Sequence, residues 1–321
     1  MNINAITAPG VMYAGLWARH AAEAPMVDAS KRHDAVMLVE VCDGNPNGDP
    51  DADNSPRVDP ETGHGLITDV AIKRRVRNFI SIWDQEQQGE ADEDSQRRNN
   101  IYVEHHGVLN AIHQRAYTAS GLKPVTKGKQ PRNDVDAARR WMCDNFFDVR
   151  TFGAVMTTGV NCGQVRGPAQ VTFGRSIDPI MPLNVCITRV AVTREEDAAK
   201  KVSEMGRKSI VPYALYRVNI FWSPQLAKGS GADDNDLNLL WWSLLNCWDH
   251  DRSASRGMMA CRSLMIFSHD KPLGCAPAHT LFDSIKVQRK SSVPVARKFD
   301  DYIVDIPEDT PAGITLNVIG V

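Results

Sequence analysis

Two hydrophobic patterns stand out in the first third of the chain. Residues 35–41 form a short, β-branched apolar run, which predicts a strand. A long loop rich in Gly, Pro, Asn and Asp follows, from Asp43 to Pro60. A helix is predicted next, because Thr68 suits its N-cap and Asp69 suits its first turn. Its apolar residues share one helical face: Ile72, Val76, Phe79, Ile80 and Trp83.

The same patterns predict the remaining elements. Helices are expected around 106–118, 134–147 and 236–248, and strands at 169–175, 185–192, 209–222 and 263–267. The core order is strand, helix, strand, strand, helix, strand, which predicts an α+β, ferredoxin-like fold. RNA-recognition modules share this topology, but their stacking aromatic motif is absent, so topology alone does not establish RNA binding. Residues 1–31 show little periodicity, and we expect a disordered extension outside the core.

Composition narrows the class of protein. Of 321 residues, 42% are apolar and 24% are charged, which is ordinary for a globular chain with a buried core. Lys and Arg number 37 and Asp and Glu 39, so any nucleic acid must bind to a local patch. No apolar run reaches the length of a membrane span, and no signal peptide is recognisable. Seven widely spaced cysteines without a Cys-x-x-Cys predict a reduced, cytoplasmic protein without disulfides or structural zinc.

The loop from Asp43 to Asn54 has some features of a calcium-binding loop. Asp43, Asn45, Asn47 and Gly48 fit an EF-hand, but Asn54 stands where a bidentate Glu is required. A strand also precedes the loop, and two prolines lie inside it. We therefore expect no metal. Two interpretations remain: a turn held by its own side chains, or a loop that presents amides and Asn side chains to a ligand.

The helix predicted after this loop carries an informative set of charges. At about 100° per residue, Lys73, Arg77 and Arg74 form one cationic flank beside the apolar stripe. Arg75 lies on the other flank. No acid interrupts the run after Asp69, so phosphate binding and an ordinary solvated face are both open.

Three further stretches are strongly charged. Residues 198–210 carry a net charge of +3, and residues 285–298 carry +5 without an acid. For both, a nucleic-acid contact and a solvated loop are open. Residues 84–95 contain six acids and no base, which is typical of a solvated loop. No serine-hydrolase elbow, zinc-protease, Walker or dinucleotide pattern occurs, so the sequence gives little support for an enzyme.

An ordered series of short motifs runs from about residue 32 to the C-terminal region. The motifs are DGNPNGDP (43–50), PRVD (56–59), GLITDV (65–70), KRRVRN (73–78), RGPAQ (166–170), RSIDPI (175–180), MGRK (205–208), VPY (211–213), DRSA (251–254) and RG (256–257). This series resembles the backbone subunit of the type I-C CRISPR surveillance complex, Cascade, which is the subtype I-C branch of the Cas-seven family.

The resemblance implies a right-hand-like fold and a function. Its parts would be a ferredoxin-like palm (about 32–84, 161–180 and 209–270), helical fingers (about 85–160) and a β-hairpin thumb (about 181–208). Copies would stack head to tail along the CRISPR RNA, holding its backbone and leaving its bases free to pair with target DNA. The thumb would flip a nucleotide at intervals. The implied partners are CRISPR RNA, target DNA, further copies, and the processing, large and small Cascade subunits, and no cofactor or metal is implied.

The matched motifs and the cationic flank together predict the residues that bind RNA: Asn45, Asn47, Arg57, Thr68, Lys73, Arg74, Arg77, Arg166, Gln170, Met205, Arg207, Lys208 and Arg256. Met205 is the expected wedge at the flipped base, in a stretch (193–208) that we expect RNA or a neighbouring copy to order. In type I systems this subunit is not a nuclease. The alternative is a metal-dependent ribonuclease similar to type III relatives, for which Asp43 or Asp49 would be the acidic residue.

Overall fold

A computed structural model describes residues 25–87, 98–124, 129–191 and 204–320. Its strands are β1 (His33–Gly44), β2 (Gly48–Asp49), β3 (Ser55–Pro56), β4 (His64–Ile67), β5 (Gly153–Met156), β6 (Gly163–Arg166), β7 (Ala169–Val171), β8 (Gly174–Pro179), β9 (Leu183–Arg189), β10 (Glu204–Trp222), β11 (Met258–His269), β12 (Lys286–Arg289), β13 (Tyr302–Asp305) and β14 (Ile314–Ile319). Its α-helices are α1 (Asp69–Gln87), α2 (Leu109–Ala119), α3 (Arg132–Asn145), α4 (Phe147–Phe152), α5 (Pro224–Ser230), α6 (Asp234–His250) and α7 (Ala278–Ser284). None of the helices in these ranges is long and apolar enough to cross a bilayer.

One antiparallel sheet organises these elements. Its strands follow the order β14, β11, β1, β10, β8, β4, and β7 and β9 also pair with β10. The central strand β1 pairs with β10 on one side and with β11 on the other. The predicted strands 35–41, 169–175, 209–222 and 263–267 correspond to β1, the β7–β8 segment, β10 and β11. In the sheet these four lie in the order β11, β1, β10 and β7–β8. The predicted mixed class, with a central antiparallel sheet and several helices, is confirmed.

Both faces of β1 are buried, which explains its unbroken apolar sequence. The odd-numbered residues from Ala35 to Val41 face a first core cluster, and Val36 and Leu38 face a second. Successive side chains of a strand point to opposite faces, so each side of the sheet needs its own cover. Helices α1 and α6 cover the first cluster, while α7, β12 and β13 cover the second.

The segment between α1 and β7 forms an insertion with a small core of its own. Helices α2 and α3 pack with the β5–β6 hairpin around buried Tyr117, Met142 and Cys162. Residues 163–166 pair with β5, so the insertion extends past residue 160, where we expected the palm to resume. Strands β5 and β6 have four residues each. Their alternation of inward and outward side chains is too short for the sequence to distinguish them from strands of the palm.

Two buried ion pairs attach this insertion to the rest of the fold. Arg150 on α4 contacts Asp236 on α6 at 2.6 Å, and both side chains are at least 98% buried. The buried carboxylate of Asp148 receives the Nε–H of Arg77 from α1 at 2.7 Å. Because an unpaired charge in such a place is costly, each pair fixes the position of α4 against a core helix.

The beginning of the described chain belongs to the core, contrary to the expected boundary at residue 31. Met26, Val27 and Ala29 are buried in the first cluster. The indole N–H of Trp241 donates to the carbonyl of Met26 at 3.0 Å, and that of Trp222 donates to the carbonyl of Ala29 at 3.1 Å. Buried indoles require acceptors, and this segment supplies them. Residues 1–24 lie outside the described residues.

We expect His33 to make the stability of the fold depend on pH. Its Nε2–H donates to the carbonyl of Asp28 at 2.8 Å, and its Nδ1 lies 3.0 Å from the hydroxyl of Ser268. Burial lowers the pKa of His33 from 6.5 to about 4, so the folded protein holds it neutral. Its contribution to stability is therefore complete above about pH 6.5 and is lost as the pH falls towards 4.

Urea denaturation at a series of pH values measures this contribution. Between about pH 7 and pH 4 the wild type should lose about 3 kcal/mol more unfolding free energy than His33→Gln, whose amide donates similarly without titrating. Parallel pH profiles for the two proteins would show that His33 is not responsible.

Candidate nucleic-acid interface

A cleft of about 540 Å3 lies where β1 ends and α1 begins. Three segments form most of it, namely the loop after β1, the first turns of α1 and the loop before β11, and Phe173 between β7 and β8 adds to its wall. The residues that line it are Asn45, Pro46, Asn47, Gly48, Asn54, Arg57, Thr68, Asp69, Val70, Ala71, Arg74, Arg75, Phe173, Asp251, Ser255 and Arg256. Six of the thirteen predicted site residues are brought together here: Asn45, Asn47, Arg57, Thr68, Arg74 and Arg256.

Two glycines allow the loops after β1 and before β11 to touch. A Cβ on Gly44 would lie 1.8 Å from the carbonyl oxygen of Arg256, and a Cβ on Gly257 would lie 2.4 Å from the carbonyl oxygen of Asp43. Gly257 also has a φ of +62°, which favours glycine. The amide of Asn45 donates to the carbonyl of Ser255 at 2.7 Å across the same contact. The backbones are therefore in direct contact at the cleft wall.

The side chain of Arg75 holds the three segments together from beneath. It is 1% exposed, and its Nε lies 2.8 Å from a carboxylate oxygen of Asp251. Its Nη2 donates to the carbonyl of Pro46 at 2.6 Å, and its Nη1 donates to that of Ala71 at 3.2 Å. Its guanidinium also lies over the ring of Trp248, 5.2 Å from the centroid. One buried cation thus fixes both loops to the helix.

The carboxylate of Asp251 is shared between this buried arginine and a second one in the cleft. Nη1 of Arg256 lies 3.0 Å from the same oxygen that Arg75 contacts. Burial lowers the pKa of Arg75 and the charge of Arg256 lowers it further, whereas Asp251 acts in the opposite direction. Two cations therefore share one anion, which leaves the cleft wall with excess positive charge.

The N-terminus of α1 opens into the cleft. The amide of Ala71 donates to the hydroxyl of Thr68 at 3.2 Å, which is the predicted N-cap. The amide of Thr68 donates to the side-chain oxygen of Asn47 at 2.9 Å. Asp69 and Val70 also line the cleft, and amides at these first positions have no acceptor within the helix. The helix end thus adds backbone donors and a partial positive charge.

The loop after β1 is held by its own polar side chains, as one of our two interpretations requires. Asn45 donates through Nδ2 to the carbonyl of Asn54 at 2.6 Å. Asp49 accepts the amide of Asp51 and pairs with Arg57 at 3.3 Å. The same loop lines the cleft, so the second interpretation, presentation to a ligand, is compatible with the first.

The cationic flank of α1 divides into exposed and internally paired side chains. Arg74 is exposed and lines the cleft. Lys73 pairs with Asp69 at 2.9 Å, and Arg77 is held by the buried Asp148 described above. The guanidinium of Arg77 attaches the insertion and does not line the cleft, so its contact with RNA stays a prediction. Arg75 lies on the opposite, buried side, as the helical angles predict.

A β-hairpin, formed by β9 and the first residues of β10, projects from the sheet beyond the cleft. Met205 pairs with Thr188, Arg207 with Cys186, and Lys208 with Val185. Residues directly opposite each other share a face, and neighbours along a strand do not. Met205 and Arg207 are therefore on one face with Cys186 and Thr188. Residues 192–203, with most of the stretch expected to be mobile, lie outside the described residues.

The other hairpin face carries the apolar side chains. Val185 and Ile187 lie on it, and Ile187 is 51% exposed. Lys208 shares this face, so Lys208 and Arg207 point in opposite directions. Both residues stay predicted RNA contacts, and the period of the strand gives each of them a different face on which to make that contact.

The remaining predicted residues lie outside the cleft. Arg166 is exposed on β6 of the insertion. Gln170 is exposed on β7, and its Nε2 donates to the carbonyl of Gly167 at 3.0 Å. Neither Asp43 nor Asp49, the acidic residues of the ribonuclease alternative, is among the residues that line the cleft. Within the described ranges, no group of three or more His, Cys, Asp and Glu side chains could hold a metal.

Sequence reasoning missed several residues that shape the cleft. Asp251 lies in a recognised motif but was not assigned a role, and its importance follows from the two arginines that share it. Phe173 and Val70 are 54% and 65% exposed at the cleft, and no sequence pattern predicts apolar groups there. These residues can be recognised only in the folded structure, where segments that are distant in the sequence meet at the cleft.

Comparison with known proteins gives a consistent family assignment. A family model described as CRISPR-associated protein Cas7 matches residues 31–307. A protein of Haloferax volcanii described as CRISPR-associated protein Cas7 is 47% identical over 49 residues, which are 15% of this chain, and the match spans 14% of the length of that relative.

The solved structures to which the chain is similar are more distant in sequence. A chain of a pre-nicking CRISPR RNA-guided surveillance complex has a TM-score of 0.42 at 15% identity, covering 74% of this chain and 78% of that one. A chain of another CRISPR RNA-guided surveillance complex has a TM-score of 0.39 at 12% identity, covering 74% and 68%. A chain of the type III-B Cmr-beta complex bound to cognate target RNA has a TM-score of 0.38 at 9% identity, covering 80% and 67%.

Adjacent arginines on α1 provide a test of the arrangement beneath the cleft. Arg75→Met should lower the unfolding free energy by about 3–5 kcal/mol, because it leaves the carbonyl of Pro46 and part of Asp251 without a partner. Arg74→Met, one residue away and exposed, should change it by no more than about 0.5 kcal/mol. Chemical denaturation measures both, and equal losses would contradict the role of Arg75.

Proposed function

This chain belongs to the CRISPR-associated Cas7 family, and we propose that it is a guide-RNA-binding backbone subunit of a CRISPR surveillance complex. In this role, copies stack head to tail along the CRISPR RNA and leave its bases available to target DNA. The other proposed partners are the processing, large and small subunits of a type I-C Cascade. The motif series from 43–50 to 256–257 supports the subtype.

The observation that carries this proposal is the charge of the cleft. Arg57, Arg74 and Arg256 line it beside the N-terminal amides of α1. The two carboxylates that line it, Asp69 and Asp251, are both paired with cations. Phosphate groups are the ligands that such donors favour, and phosphate contacts hold a strand without reading its sequence. A guide holder requires this property, because every guide has a different sequence.

The order of strands and helices supports a ferredoxin-like palm. Strands β11, β1, β10 and the β7–β8 segment are neighbours in the sheet, and α1 and α6 cover one of its faces. In this description the insertion between α1 and β7 corresponds to the fingers, and the β9–β10 hairpin corresponds to the thumb. The hairpin joins the palm at Ile210, next to the end of β1 that borders the cleft.

The two hairpin faces suit two different partners. The face with Met205 and Arg207 offers a cation and a flexible apolar side chain, which suit an RNA strand with a displaced base. The face with Val185 and Ile187 is apolar and exposed, which suits a protein surface. We assign the first face to the guide and the second to a neighbouring copy.

We propose that the subunit has no nuclease activity of its own. The carboxylates of the cleft are neutralised by arginine and lysine, and Asp49 is paired with Arg57. Incubation of the assembled complex with a paired RNA target and magnesium tests this part. Intact RNA is the expected result, whereas regular cleavage that is lost in Asp43→Ala or Asp49→Ala would support the ribonuclease alternative.

Loss of a cleft arginine should weaken RNA binding in a salt-dependent way. Arg74→Ala and Arg256→Ala should each lower the slope of log affinity against log salt by about 0.7, the value for one phosphate contact on a single strand, for every guide sequence alike. Arg77→Ala should lower stability instead, because it leaves Asp148 buried and unpaired. Fluorescence anisotropy with labelled RNA at several salt concentrations measures the slopes.

Lys228→Ala is the matched control for these slopes. Lys228 is exposed on α5, which follows the end of β10 remote from the cleft. Its removal deletes one charge without altering the cleft. If Lys228→Ala reduced the slope as much as Arg74→Ala, binding would reflect overall charge and the assignment of the cleft would be wrong.

The two hairpin faces should be separable by mutation. Arg207→Ala should weaken binding of one copy to a short RNA, whereas Ile187→Ser should leave that affinity unchanged and shorten the assemblies on a long RNA. Sedimentation velocity on both RNA lengths distinguishes the two effects. The assignment fails if Ile187→Ser weakens binding to the short RNA and Arg207→Ala does not.

A further inference from the structure

A second cleft lies at the base of the hairpin, on the side of the sheet away from α1. Its volume is about 540 Å3, and it is bounded by the end of β8, the start of β10 in the sheet and the segment between β12 and β13. Tyr213 and Tyr302, which line it, belong to the second core cluster, whereas α1 packs on the first. The floor of this cleft therefore lies across the sheet from the first cleft, although Ala214 and Ile180 in its wall contact the first cluster.

The interior of this second cleft is apolar, and the polar atoms at its bottom are already used. The rings of Tyr213 and Tyr302 are stacked, with centroids 6.4 Å apart. The hydroxyl of Tyr213 donates to Glu40 at 2.9 Å, and that of Tyr302 donates to Asp178 at 2.7 Å. Above them, the wall is exposed and apolar: Met181 is 85% exposed and Val295 is 55% exposed.

The rim of the second cleft is cationic. Arg289 and Arg297 line it, within the segment 285–298 that carries five cations and no acid. Arg289 lies 3.6 Å from Asp178, whose carboxylate also accepts the hydroxyl of Tyr302. Arg297 is exposed, and its Nη1 donates to the carbonyl of the adjacent Ala296 at 3.3 Å. Both guanidinium groups thus keep donors available for an anion.

We propose that the second cleft binds an unpaired nucleotide of a single-stranded nucleic acid, with its base against Met181 and Val295 and its flanking phosphates on Arg289 and Arg297. An apolar surface beside a cationic rim is the combination that single strands use. A protein partner of an apolar groove would not need the two arginines, Arg289 and Arg297, at its edge. The proposal rests on the function proposed above, since it gives an RNA-binding subunit a second strand contact.

The nucleotide can come from two sources. One is the guide itself, if it continues around the base of the hairpin after the first cleft. The other is a separate DNA strand that the assembled complex recruits. Because the floor of the second cleft lies across the sheet from the first cleft, a nucleotide in the first cannot also occupy the second, so the two sources give different experimental results.

The test variant is Arg289→Gln with Arg297→Gln in the full-length protein, assembled on guide RNA. Its matched control is Lys228→Gln with Lys271→Gln, which removes two exposed charges beyond the opposite ends of β10 and β11. One arm measures binding of a short oligothymidylate DNA and of a guide-complementary DNA to the complex. A second arm measures protection of the guide from ribonuclease. A third arm measures the number of copies per guide by native mass spectrometry.

If the nucleotide comes from a separate DNA strand, the test variant should retain its guide and lose affinity for DNA. The salt slope of DNA binding should then fall by about 1.4, for two contacts at about 0.7 each. If the nucleotide comes from the guide, the affinity for DNA should remain and the protection of the guide from ribonuclease should fall. The control should match the wild type in both arms. Arg297→Gln alone should give the same change at about half the size. Because Arg297 is exposed, this single variant shows whether the effect of the double variant comes from misfolding.

Two results would overturn the proposal. In the first, the test variant behaves as the control in DNA affinity and guide protection. In the second, both remain unchanged while the number of copies per guide falls, which means that the cleft binds protein. Either result leaves the proposed function intact if Arg74→Ala still lowers the RNA salt slope, so the two failures are distinguishable.

Discussion

The guanidinium of Arg75 is the interaction on which the first cleft depends. The loop after β1, the first turn of α1 and the loop before β11 are far apart in sequence. The first two each contribute a carbonyl oxygen that accepts a hydrogen bond from this group, and the third contributes the ion-paired carboxylate of Asp251. A buried arginine without these acceptors would be strongly unfavourable, so the three segments and the arginine stabilise one arrangement together. Arg256 then shares Asp251 from the solvent side. The positions of the ligand-facing cations therefore depend on a cation that no ligand reaches.

The sequence alone predicted the parts of the fold that repeat a simple period. Helix α1 and the position of Arg75 on the flank opposite Arg74 follow from helical angles, the N-cap follows from Thr68, and β1 follows from an apolar run. It did not predict the covering of the second face by α7, β12 and β13, because these elements are short and have a weak period. The early chain was also misjudged: Met26 is buried because Trp241 needs its carbonyl, a contact across 215 residues.

Arginines of the same helix have different roles, and their carboxylate partners decide which. Asp148 is 1% exposed and holds Arg77, so this pair attaches the insertion. Asp236 does the same for Arg150 from α6. Arg74 has exposed surroundings and lines the cleft. The helical position of a cation predicts its direction, but the burial of a distant carboxylate determines whether it is available. The burial of that carboxylate can be determined only from the three-dimensional structure.

The hairpin shows the same limit of sequence analysis. Along a strand, successive side chains point to opposite faces, so neighbouring residues meet different surroundings. Arg207 and Lys208 are adjacent cations, and a count of charges treats them alike. The pairing of Arg207 with Cys186 and of Lys208 with Val185 puts them on opposite faces. A hairpin that projects from the sheet has no core to bury either face, so each face is available to a partner. One thin element can therefore contact RNA on one side and protein on the other. In the role that we propose, stacked copies would need both contacts at every repeat, and a two-sided hairpin would meet both needs without enlarging the subunit.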